Sequence, residues 1–198
     1  MSQLTEALNR IMNWLQEYQP DYAASFLPGL SRQEIDEITA PLNLYIPEEI
    51  YELYQWRNGR SVVPFIDTDL SRFEIYEFLP LKEAASVDSI KTINRSTSDG
   101  GFLTTEYKSK KFFPFIGRHP ETCAVVISDK QEEKYPIVAL PSEEIEPSPC
   151  CASITVMMSI CAEAYETEVF YVKDEEPRFM HTDHVKLIEL CDKYNAWY

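Results

Sequence analysis

Residues 35–61, IDEITAPLNLYIPEEIYELYQWRNGRS, predict two helices and a hard stop. Pro47 suits the first helical position, where its missing N–H costs nothing and its fixed φ matches the helix. Glu48 and Glu49 follow where the helix dipole favours negative charge. Ile46, Ile50, Leu53 and Tyr54 recur at helical spacing, so one face is apolar. Asn58-Gly59 then ends the helix, with Gly59 as the left-handed residue of the stop. Just upstream, Ser31 and Glu34 make a capping box, and Leu30 and Ile35 stand as a hydrophobic staple. A helix is therefore expected from Arg32 to Thr39, ahead of Pro41.

Toward the N-terminus, Leu4, Leu8, Ile11 and Leu15 repeat at i, i+4, i+7 and i+11, which gives an amphipathic helix over 4–18 ended by Pro20. Toward the C-terminus the period shortens. Residues 61–65 and the strictly alternating FEIYEF at 73–78 read as strands, and 81–89 as a short helix. NRSTSDGG at 94–101 reads as a loop, since it has no apolar side chain to anchor it. Residues 112–116, 123–128 and 135–140 read as three strands of an antiparallel meander, with DKQEEK at 129–134 as a charged hairpin connection. A Pro-rich joint at 141–149 follows. Ile154, Met157, Met158, Cys161 and Tyr165 mark a core helix, 168–172 a short strand, and Val185, Ile188, Cys191 and Tyr194 a terminal helix.

The sequence resembles the Smi/Knr family of the SUKH superfamily, in which an acidic "(L/I)PEE" helix runs into an "NG" before the first strand. Here those are Ile46-Pro47-Glu48-Glu49 and Asn58-Gly59. Pro28-Gly29-Leu30-Ser31-Arg32-Gln33-Glu34-Ile35 is similar to the family's helix opening, and Leu79-Pro80-Leu81-Lys82-Glu83-Ala84 to its "LPL-x-EA" step. Phe113-Pro114-Phe115-Ile116, with Cys123-Ala124-Val125-Val126-Ile127, is similar to its later "PF" turn and buried strand. The likeness spans residues 27–140. It departs from the family at 117–121, where Gly117-Arg118-His119-Pro120-Glu121 replaces a Gly-rich stretch.

At 198 residues the chain suits one domain, which buries roughly 70% of its unfolded surface. Residues 1–198 are expected as that single domain, with 1–20 as a candidate helical extension. The fold class expected is α+β: N-terminal helices packed on a mostly antiparallel sheet, with C-terminal helices completing the cover. The formal charge of −15, from 33 acidic and 18 basic residues, opposes binding to a phosphate backbone, so nucleic acid is excluded as a partner. No basic segment followed by an apolar run opens the chain, and no stretch approaches the 18 or more apolar residues of a membrane span. The expectation is a cytoplasmic protein with no membrane partner.

Candidate chemical sites are few. His181 and His184 flank Asp183 at i, i+3, but no third ligand follows by spacing, so no metal is expected. Cys123, Cys150, Cys151, Cys161 and Cys191 form an odd set without CxxC spacing, which argues for reduced thiols, although Cys150-Cys151 is a vicinal pair able to oxidise. His119 with Cys123 lacks a group to orient the imidazole, and Glu132-Glu133 and Asp174-Glu175-Glu176 read as solvated faces. Met157-Met158, Trp14 and Trp197 read as packing residues. Trp56 lies off the Ile50/Leu53 stripe and is a candidate partner anchor. No catalytic residue, metal site or cofactor is therefore expected, and the sequence names no binding residue. The resemblance implies a non-enzymatic protein-binding module of the immunity type, with a cognate and cationic toxin domain as partner. An intracellular regulatory or scaffold role is the alternative.

Overall fold

The computed structural model of the chain describes residues 1–61, 77–86, 107, 110–117, 121–141, 147–173 and 180–197. Its architecture is α+β. Helix α1 (Gln3–Tyr18) starts at Ser2, whose hydroxyl accepts from the Thr5 N–H. Its stripe of Leu4, Leu8, Ile11 and Leu15 is fully buried against α4 (Glu48–Trp56) and α6 (Ile154–Glu166). Pro20 does more than end α1. It is the first residue of a short α2 (Pro20–Ala24), because the N–H a proline lacks is one that a helix start leaves unbonded anyway.

Helix α3 (Arg32–Thr39) has the expected bounds and the complete capping box, with the Ser31 N–H donating to Glu34 at 2.8 Å. Helix α4 begins one residue later than predicted, with Pro47 as its extended cap. Its end differs more. After Trp56 the backbone turns extended at Arg57 and enters β2 (Arg57–Arg60), which pairs antiparallel with β1 (Phe26–Pro28). Gly59 has φ +71°, so the left-handed residue is real, but it sits inside a strand rather than at a helix stop. Residues 77–79 join this ribbon to the main sheet: Arg60 N–H donates to the Phe78 carbonyl, and Leu79 N–H to that of Phe115.

The main sheet runs β3-β4-β5-β6, all antiparallel: β3 (Lys111–Gly117), β4 (Glu121–Ile127), β5 (Ile137–Pro141) and β6 (Ser148–Cys151). The first three match the predicted meander. Alternation sends Phe113, Phe115, Cys123, Val125 and Ile137 to the main core under α6, while Phe112, Ala124, Val126 and Val138 form a smaller cluster on the other face. Strand β6 falls where a Pro-rich joint was expected. Pro149 pairs with Val138 on the outermost strand, a place where its missing N–H removes no ladder bond the sheet needs.

Helix α5 (Leu81–Ala84) is shorter than the predicted 81–89. The C-terminal part adds α6, the β7 (Phe170–Val172) and β8 (Met180–Thr182) pair, and α7 (His184–Lys193). In α7 the buried residues are Leu187, Leu190 and Cys191, whereas Val185 and Ile188 face outward. The predicted stripe through Val185 and Ile188 is therefore corrected: it combined the inner and outer faces of the helix. The strands expected at 61–65 and 73–78 and the loop at 94–101 lie outside the described residues, apart from Ser61, Glu77 and Phe78.

Candidate functional site

The four family-like segments meet around α4. Leu30 N–H donates to the Tyr54 carbonyl at 2.9 Å, and a Cβ on Gly29 would stand 1.8 Å from the Gln55 carbonyl oxygen, so the Pro28-Gly29-Leu30 turn lies against the end of the helix. The Tyr54 hydroxyl, fully buried, donates to the Leu79 carbonyl at 3.2 Å. The Asn58 side-chain carbonyl accepts from Leu81 N–H at 2.9 Å and so caps α5. Phe115 accepts from Leu79, which closes the set. These contacts all fix backbone, two through backbone groups and two through the Tyr54 and Asn58 side chains, so this part of the motif specifies the fold.

The Pro47-Glu48-Glu49 segment is different: Pro47 is buried, but Glu48 is exposed and Glu49 part-exposed. Together with Glu133, Lys134, Tyr135, Ala152 and Ser153 it lines a cleft of about 440 Å3. Clefts of this size are the usual places where proteins take ligands or anchor residues. Three elements place the lining: the start of α4, the connection between β4 and β5, and the turn from β6 into α6. Tyr135 is held by a stacked contact with Tyr45, ring centroids 6.1 Å apart at 11°, and its hydroxyl accepts from Glu132 N–H at 2.8 Å. Glu132 in turn bonds Ser128 and pairs with Lys110, and these contacts hold its carboxyl below the ordinary range, Lys110 first.

The two glutamates of the motif do separate work. Glu48 takes a two-pronged contact from Arg32 at 2.7 and 2.9 Å, which holds its carboxyl below the usual range, and the same guanidinium lies 4.0 Å above the Tyr51 ring. Tyr51 donates to Asp36 at 2.5 Å; burial first, and this bond second, push its hydroxyl up to about 12. Glu49 reaches across to α6. Its carboxylate accepts from the N–H groups of Ile154 at 3.3 Å and Thr155 at 3.0 Å, and from the Thr155 hydroxyl, while Ser153 takes the Val156 N–H. The free donors at the start of α6 are thus answered by a carboxylate from another helix, placed where the dipole favours it.

This gives a prediction. Glu49→Ala should lower stability by about 2 kcal/mol, since it strips two part-buried backbone donors at once, whereas Glu49→Gln keeps one acceptor oxygen and turns the other into an NH2 donor, so it should lose about half of that. Urea midpoints of the two variants check it. Equal midpoints for wild type and Glu49→Ala would show that water caps α6 as well.

The other sequence candidates are scattered. His181 stacks on Tyr171 across the β7–β8 pair, and His184 is the exposed first residue of α7. Among the described residues no three of His, Cys, Asp or Glu gather as a metal site. His119 and Asp174-Glu175-Glu176 lie outside the described residues, and Cys123 is buried in β4. All five cysteines are buried, and none is in a disulfide. Cys150 and Cys151 are both strand residues, where a break in register opposite Ile137 and Val138 lets both face the main core. The hydrogen bond that Cys151 shares with Cys150, and then burial, push the Cys151 thiol up, away from the reactive thiolate. Met157 and Met158 are fully buried, and Trp56 is half-buried edge-on to Phe26. The cleft itself was not foreseen, because its walls come from three places in the sequence. No described helix is long and apolar enough to cross a membrane.

Among curated proteins, none matches the chain. A family model does: that of the SMI1 / KNR4 family (SUKH-1), over residues 29–160, more than half of the chain.

Proposed function

Since the chain belongs to the SMI1 / KNR4 family (SUKH-1), we propose that it is a non-enzymatic protein-binding module of the immunity type, which masks a cognate toxin domain. The family match over 29–160 is the observation that carries this reading. The formal charge of −15 supports a cationic partner such as a nuclease toxin, because opposite net charge speeds encounter and disfavours wrong partners. Neutralisation then needs no bond made or broken. It needs an interface of ordinary size, about 800 Å2 on each partner, laid over the toxin's working surface. Residues 1–198 act as one unit in this reading, in the cytoplasm of the cell that makes the toxin.

The test is co-purification from the native cell followed by mass spectrometry. A one-to-one complex with a toxin domain encoded beside this gene is the expected result. Recovery of a signalling or cell-wall regulatory protein in its place would replace immunity with a scaffold role.

A further inference from the structure

Helix α7 has two unlike faces. Leu187, Leu190 and Cys191, at i, i+3 and i+4, are buried and hold it to the body of the protein. Val185, Ile188, Glu189 and Asp192, at i, i+3, i+4 and i+7, make up the opposite face. Val185 is 68% exposed and Ile188 46%, and both lie beyond residue 160, outside the region shared with the family. Val185, the second residue of the helix, and Ile188, one turn on, stand together on the solvent side as an exposed apolar strip of the kind that protein partners cover.

Charge decides what could cover it. The carboxylates of Glu189 and Asp192 have no partner among the described residues. The lysines of the same helix are turned elsewhere, Lys186 to Asp183 and Lys193 to Glu163. A second copy of this chain fits poorly, because a two-fold contact would bring two copies of the same acidic ridge, and two bodies of charge −15, together. We propose that the Val185–Ile188–Glu189–Asp192 ridge is the docking face for a basic protein partner, whose apolar pocket takes Val185 and Ile188 while its lysines or arginines meet Glu189 and Asp192. The ridge is an anchor within a larger contact, since ten residues of helix extend only about 15 Å. Its place outside the shared region makes it the part of the surface that picks this chain's own partner. The inference rests on the protein-binding reading above.

The experiment places the photo-cross-linking residue p-benzoylphenylalanine at Ile188 of the full chain, with the exposed Lys82 of α5 as the control position, and irradiates native cells. The expected result is one discrete adduct at position 188, absent at 82, with a protein of basic isoelectric point. Purified, that protein should bind Glu189→Lys, Asp192→Lys at least tenfold more weakly than wild type, mostly through slower association, while the variant keeps the wild-type melting temperature. No adduct at 188, an adduct with a second copy, an acidic partner, or binding indifferent to the charge reversal would each overturn the proposal. The two readings fail separately. A basic partner that is no toxin removes the immunity role and leaves the ridge, whereas a toxin bound with position 188 silent does the reverse.

Discussion

Gly59→Ala is expected to lose about 3 kcal/mol or more of stability, a fall of roughly 6–12 °C in melting temperature for a chain of this size. Two independent effects add. Gly59 has φ +71°, a conformation that a Cβ disfavours by about 1 kcal/mol. The added Cβ would also stand 2.3 Å from the Pro80 nitrogen, 2.5 Å from the Leu79 carbonyl carbon and 2.6 Å from the Pro80 Cα. These are backbone atoms held on both sides, by Tyr54 on the Leu79 carbonyl and Asn58 on Leu81, so they cannot swing away. Gly117→Ala is the control. The nearest neighbours of its Cβ would be side-chain atoms of Leu79, Cδ2 at 2.8 Å and Cδ1 and Cγ at 3.4 Å, which rotate aside, so it should change stability by less than about 1 kcal/mol. Thermal and urea unfolding of both variants decide the matter, and an unchanged midpoint for Gly59→Ala would mean that β2 and the Leu79-Pro80 segment do not approach as described.

Leu8→Ala should destabilise by about 3 kcal/mol, within the range of about 2–5 for a buried leucine truncated in a packed core. Leu8 is fully buried, and α1 lies along α6 with Trp14 4.5 Å from the Tyr165 ring. If residues 1–20 instead form a detachable extension, the variant should unfold at the wild-type midpoint, since losing contacts within a dispensable arm leaves the remaining core intact. Denaturant unfolding followed by circular dichroism separates the two cases.

The sequence was legible where one period ran unbroken. The stripe of α1, the capping box of α3, the meander β3–β5 and the core face of α6 could all be read, because each has one buried face and a repeat long enough to show it. Elsewhere local signals had two meanings. Asn58-Gly59 reads as a helix stop, but the same freedom at positive φ serves a strand pressed against another backbone, and only the fold chooses between them. Pro149 hides β6 because proline argues against a strand unless that strand lies at the edge, which depends on the order of strands and not on composition. In α7 apolar residues lie on both faces, and the i, i+3 series through Val185, Ile188 and Cys191 passes from the outer face to the inner one. Of the cleft, only Pro47-Glu48-Glu49 stood out. Its other walls at 133–135 and 152–153 join it through long-range pairing, and the cap from Glu49 to α6 links residues more than a hundred apart.

Protein recognition is the central claim, and protection is its most direct measure. A toxin domain recovered with the chain from native cells is to be co-expressed in a sensitive host with the full chain or with an empty vector, and viable cells counted. The account predicts that the toxin alone kills, and that the full chain restores counts to those of cells without toxin while the two proteins co-elute as a stoichiometric complex. Killing that proceeds unchanged in cells where the chain is abundant and folded would contradict it.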